Sequence, residues 1–147
     1  MAFPSIVVHG LTHRFSTRDG LLTVLDGLDL EVAAGGYVTL TGPSGAGKST
    51  LLSLLGGLEP PQEGSVVVDG HDLSGLSRNQ LATFRSQTVG FVFQHFGLLA
   101  TLSAAENVEL ACMLAGAGPR ARRRRAGELL DAVGLAARAG HRPGELS

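Results

Sequence analysis

Lysine is all but missing from this chain of 147 residues. It carries 12 Lys+Arg, of which Lys48 is the one lysine and the rest are arginine. The richness in arginine, alanine and glycine suggests a GC-rich genome, which explains the scarcity and makes the exception informative. Cysteine is also scarce. Cys112 stands alone, so no internal disulfide is available and a reducing, cytosolic compartment is expected. Charged residues make up 17%, against about 25% in an ordinary globular protein. The formal net charge is −1, which gives no bulk attraction to nucleic acid or an anionic membrane. The start, MAFPSIVVHG, has no basic stretch leading into an apolar one, so no secretory leader is expected. The longest apolar segment, around VELACMLAGAG, is too short and glycine-broken to span a bilayer. If this protein works at a membrane, another chain is expected to do the spanning.

What is present is a soluble-type core, 44% hydrophobic and about one domain long. SIVVHGLTHRF and LTVLDGLDLEV are rich in β-branched residues and read as strands, with turn chemistry between them at residues 17–20. YVTLT predicts a short strand feeding a glycine loop. The next segment, KSTLLSLLGGL, places Leu51, Leu52, Leu54, Leu55 and Leu58 at helical spacing, and EPPQEG ends it. GSVVVDGHDL predicts a hairpin turning at Asp69-Gly70. LSRNQLATFRSQ predicts a helix capped by Ser77, and VGFVFQ a buried strand ending at Gln94. From Ser103 the pattern is helical. Ser103 with Glu106 fits a capping box, and Pro119 fits a first helical turn. Strands alternating with helices indicate an α/β class, with the early antiparallel strands and late helices as additions to it.

Residues 42–49 read G-P-S-G-A-G-K-S and match the phosphate-loop pattern G-x-x-x-x-G-K-[ST]. Small residues let successive backbone N–H groups point inward, a nest for phosphate oxygens. The following helix adds the positive end of its dipole. Lys48 supplies a mobile ammonium for the β- and γ-phosphates, and Ser49 a hydroxyl for Mg²⁺. Arginine is too bulky and planar for this place, so lysine is retained here. The expected ligand-binding set is Gly42, Pro43, Ser44, Gly45, Ala46, Gly47, Lys48, Ser49 and Thr50.

The whole chain resembles the ATP-binding subunit of an ABC transporter. The likeness is carried by GPSGAGKSTLL, by GFVFQHFGLLATLSAAENVEL and by the terminal HRPGELS, which looks like the lead-in to the family's L-S-G-G-Q signature. GHDLSGLSRNQLATFRSQTVGFVFQ and ENVELACMLAG look most like the branch serving lipoprotein release and macrolide export. The resemblance implies a P-loop NTPase core of α/β class, with an antiparallel β subdomain and a C-terminal helical subdomain. About residues 1–100 would form the β subdomain and core, and about 101–147 the helical part. It implies that Phe15 stacks on adenine and that Gln94, at the Q-loop position, joins Ser49 on Mg²⁺. His95 beside it reads as a loop histidine, and Ala46 stands where many family members have serine. ATP and Mg²⁺ are the implied ligands. The implied partners are a second ATP-binding subunit and an integral membrane permease, with no nucleic acid. The implied location is peripheral, on the cytoplasmic face of the inner membrane.

Three features need separate treatment. VVVD at residues 66–69 imitates the apolar run and aspartate of a Walker B strand, but Gly70 follows where an acid belongs, so it is read as a hairpin turn. The run Arg120, Arg122, Arg123, Arg124 and Arg125 spreads around a helix, where Glu128 and Asp131 are expected to pair with it. The domain lacks the basic balance of a nucleic-acid binder. Finally, the sequence stops at Ser147, before a signature, a Walker B strand with its glutamate, or a switch histidine. An ABC-type ATPase is implied by resemblance, yet these residues alone are expected to fold poorly and to turn over no ATP. The alternative is a truncated nucleotide-binding remnant without catalysis. A small P-loop kinase would need an arginine-bearing acceptor lid, and the Q-loop likeness and early antiparallel strands speak against it.

Overall fold

The protein is described here by a computed structural model, over residues 4–94 and 96–146. His95 and Ser147, both singled out above, lie outside the described residues. The chain divides into two compact units, with the division between Phe91 and Val92.

The first unit is an antiparallel sheet packed against two helices. Strands β1 (Pro4–Thr17) and β2 (Gly20–Ala33) form a long hairpin, with the Thr17 hydroxyl donating to the Gly20 carbonyl at 2.9 Å across the turn. Strand β3 (Glu63–Val68) pairs with β1, and β4 (His71–Asp72) closes the sheet, giving the order β2-β1-β3-β4. Asp69 and Gly70 have φ of 48° and 76°, the two positive values of a type I′ turn. Asp69 therefore belongs to the hairpin, as its glycine neighbour indicates. Helix α1 (Lys48–Leu55) buries Leu51 and Leu54, three apart on one face. Helix α2 (Arg78–Thr88) buries Leu81 and Phe84 with the same spacing. These four side chains pack with Val8, Leu11, Leu25, Val66 and Leu73 into one core. Each fully buried leucine contributes about 1.5–3 kcal/mol relative to exposure. Leu52 and Leu58, also at helical spacing, stay half-exposed. The cap on α2 is a complete box: Gln80 N–H donates to the Ser77 hydroxyl, and the Gln80 side chain accepts from Ser77 N–H at 2.9 Å.

Two expected strands do not form. Residues 37–41 and 89–94 belong to no ladder of the sheet. Tyr37 is 94% exposed and Val92 is 100% exposed. Sequences of this kind suit the buried strands of a parallel sheet, which exist only beside neighbouring strands. The sheet that forms here is antiparallel throughout and uses other residues.

The second unit is helical. Helix α3 (Ala104–Leu114) begins at a capping box. Glu106 N–H donates to the Ser103 hydroxyl at 3.3 Å, while the Glu106 carboxylate accepts from Ser103 N–H at 2.8 Å. Those bonds, backbone first and hydroxyl second, hold the Glu106 carboxyl below its ordinary value. Helix α4 (Pro119–Ala132) starts with proline in its first turn and buries Ala126 and Leu130. Four of its arginines enter ion pairs. Glu128 faces Arg124 at 3.6 Å and Arg125 at 3.5 Å. Glu109 of α3 takes Arg122 at 3.3 Å and Arg123 at 4.0 Å. Asp131 enters no ion pair among the described residues, since the positions three and four away carry Gly127, Glu128, Gly134 and Leu135, none of them basic. No helix among the described residues is long and apolar enough to cross a membrane.

Candidate phosphate-binding site

The glycine loop and the start of α1 enclose an open cavity of about 360 Å³. Residues 44–50 form most of its wall, and Leu22 and Val24 of β2 complete it. Three glycines shape the loop, with φ of 149° at Gly42, 81° at Gly45 and 78° at Gly47. Gly47 is required twice over. Its φ is one that side chains rarely adopt, and a Cβ there would lie 2.9 Å from the Val24 carbonyl oxygen and 2.9 Å from a Leu25 methyl.

The hairpin itself prepares this approach. His13 pairs with Leu25 and Arg14 with Thr23, so the register slips by one and Val24 has no opposite residue. This is a β-bulge, which bends the strand and re-aims its backbone. The bulged residue is the one whose carbonyl meets Gly47.

Helix α1 starts without help from a side chain. Gly47 at its N-cap has none to offer, and the first bond of the helix runs from Leu51 N–H to Gly47 C=O at 2.8 Å. The N–H groups of Lys48, Ser49 and Thr50 therefore precede the helical ladder and face the cavity end. Such a terminus attracts anions through its orphan donors and its dipole. The Lys48 ammonium folds over the loop and donates to the carbonyls of Gly42, at 2.9 Å, and Pro43, at 2.6 Å. The cation is thus held at the loop's mouth, with a further donor hydrogen for an anion. Ala46 N–H closes the loop's turn on Pro43 C=O at 3.3 Å.

Ser49 is exposed and lines the cavity. Among the described residues, no three His, Cys, Asp or Glu side chains are grouped to hold a metal. That donor set does not suit a metal caged by protein. It suits Mg²⁺, which keeps waters and phosphate oxygens and needs few protein ligands, such as one hydroxyl.

Phe15 pairs with Leu22 across the β1–β2 ladder, so the two share a face of the sheet. Leu22 is a wall of the cavity, and Phe15 stands beside it, 39% exposed. Gln94 belongs to the second unit, where it is exposed in a turn. The structure therefore gathers Phe15 with residues 42–50 in one unit and puts Gln94 in the other. Leu22 and Val24 were not legible as site residues, since only the bulge brings them to the loop.

A family profile described as ABC transporter matches residues 25–147. Over all its 147 residues the chain is 44% identical to the macrolide export ATP-binding/permease protein MacB of Rhodopseudomonas palustris, covering 22% of that protein. It is 43% identical over 142 residues to the lipoprotein-releasing system ATP-binding protein LolD of Bacteroides fragilis, covering 97% of this chain and 64% of LolD. Among solved structures, the dimeric post-hydrolysis state of the ATP-binding cassette MJ0796, bound to ADP and Pi, aligns with a TM-score of 0.85 at 34% identity. That alignment covers 97% of this chain and 63% of the cassette. The chain thus spans about a fifth of the MacB relatives and under two thirds of LolD. Profile, relatives and fold agree with the phosphate loop: the chain belongs to the ABC transporter family, as an ATP-binding domain homologous to the MacB and LolD cassettes.

Proposed function

We propose that this chain binds MgATP on residues 42–50 and that, in the complete paired subunit, hydrolysis of that ATP drives a membrane permease. The observation that carries the reading is the cavity in which an uncapped helix N-terminus and the Lys48 ammonium converge. Lys48 binds the β- and γ-phosphates, exchanging the Gly42 and Pro43 carbonyls for phosphate oxygens. The loop amides cradle the remaining phosphate charge. Ser49 offers its hydroxyl to Mg²⁺. An Mg²⁺ ion held there would supply positive charge against the phosphates and offset charge developing in transfer. Phe15 stacks on adenine, and Leu22 forms the adjoining apolar wall.

The relatives support an assignment of partners. The solved cassette is dimeric, and MacB joins ATP-binding and permease functions in its name. We assign this chain a second ATP-binding subunit and an integral permease, at the cytoplasmic face of the membrane. By themselves the 147 residues bind nucleotide without steady turnover. Hydrolysis needs a group that orients the attacking water. The apolar run ending in aspartate at residues 66–69 is spent on a hairpin.

Calorimetric titration with MgATP tests the core of this reading. A hydrogen bond from a charged group is worth about 1.5–3 kcal/mol. Lys48→Ala should therefore weaken binding by about ten- to a hundredfold. Equal affinity in Lys48→Ala and wild type would refute the assignment.

A further inference from the structure

We propose that His13 is the positioning residue behind the Phe15 ring, anchoring it in the orientation that receives the base. The inference rests on reading Phe15 as the adenine platform, and the experiment below separates the two.

His13 is 3% exposed and lies two residues before Phe15 on the same strand. Its Nε2 lies 3.4 Å from a carboxylate oxygen of Glu59, whose side chain is about half exposed. Its Nδ1 is buried and meets no hydrogen-bond partner. These two facts fix the tautomer. With the hydrogen on Nε2 it faces the Glu59 carboxylate, and Nδ1 is left bare. With the hydrogen on Nδ1, a donor would be buried without an acceptor, which is the costlier arrangement.

The anchored imidazole then meets Phe15. The two ring centroids are 4.8 Å apart and the planes cross at 71°, an edge-type aromatic contact. Phe15 is 39% exposed, so this contact leaves ring surface open to a ligand. A half-exposed ring near the end of a hairpin would otherwise lose rotamer freedom when a base stacked on it, at a cost in affinity. His13 removes part of that cost in advance. Glu59 follows the turn that ends α1, and α1 begins with Lys48. The His13–Glu59 contact therefore ties the platform strand to the segment that carries the phosphate loop.

The test compares two ligands on the 147-residue chain: MgATP, which has a base, and magnesium tripolyphosphate, which has none. His13→Leu keeps apolar volume and removes the contact to Glu59. It should weaken MgATP about three- to tenfold, the range spanned by one aromatic contact, and leave tripolyphosphate unchanged. His13→Phe, which keeps an aromatic ring against Phe15, should recover much of the loss. In a Phe15→Ala background, His13→Leu should add nothing. The proposal is overturned if both ligands weaken together in both His13 variants, since His13 is then only a core residue. Additive losses in the double variant, or no loss in His13→Leu, also overturn it. If Phe15→Ala itself leaves the ratio of the two affinities unchanged, the adenine platform is the part that fails.

Discussion

Gly47→Ala is the substitution that the hairpin bulge makes most costly. Two terms act at this position. The backbone has φ of 78°, which costs a residue with a Cβ about 1–2 kcal/mol. The new methyl would also stand 2.9 Å from the Val24 carbonyl oxygen and 3.1 Å from a Val24 methyl. A carbonyl in a paired hairpin cannot move as a side-chain end does, so the loop must lift away. Overpacking of this kind costs about 1–3 kcal/mol. Together the terms give about 2–5 kcal/mol. Gly45→Ala is the matched control, with φ of 81° and nothing within 4 Å of its added methyl. It carries the backbone term alone, about 1–2 kcal/mol. Urea unfolding of the two variants isolates the close approach as the difference between them. MgATP titration should show Gly47→Ala losing affinity as well, because the lifted loop no longer presents its amides. Equal destabilisation by both variants would show that Val24 does not press on Gly47, and the account of the bulge would be wrong.

At Gly56, which has an ordinary φ of −79°, an added methyl would overlap the Phe91 ring at 2.2 Å. Gly56→Ala should destabilise the first unit by about 1–3 kcal/mol, read by urea unfolding; a change under half a unit of kcal/mol would contradict the packing. Glu106 is held below its ordinary value of 4.5 chiefly by the Ser103 backbone bond, then by the Ser103 hydroxyl. A depressed carboxyl stabilises the native state above the unfolded value and loses that contribution as pH falls through the folded one. Carbon-detected titration should therefore place the Glu106 midpoint below 4.5, and Ser103→Ala should raise it. A wild-type midpoint at or above 4.5 would remove the capping bonds from the account.

Local chemistry was legible and long-range pairing was not. The Ser77 and Ser103 caps, the first-turn Pro119 and the Asp69-Gly70 turn depend on residues within a few positions of one another, and all are present. The phosphate loop was legible for the same reason, since its glycines and Lys48 act within one turn of chain. Strand formation at 37–41 and 89–94 depends on neighbouring strands, which a run of apolar residues cannot reveal. Glu109 pairing with Arg122 depends on α3 meeting α4, whereas helical spacing offered Glu128 and Asp131, of which Glu128 pairs. The wall at Leu22 and Val24 comes from a one-residue slip in register. No periodicity signals such a slip. Nothing along the chain marks His13, which only burial and the Glu59 contact distinguish.

The central claim is that triphosphate sits against residues 42–50, held by loop amides and Lys48. Titration of the ¹⁵N-labelled chain with MgATP tests it most directly, amide by amide. The account predicts the largest shifts at Gly45, Gly47, Lys48 and Ser49, saturating together and absent with adenosine alone. Saturating shifts confined to other segments, with these four amides unmoved, would contradict it.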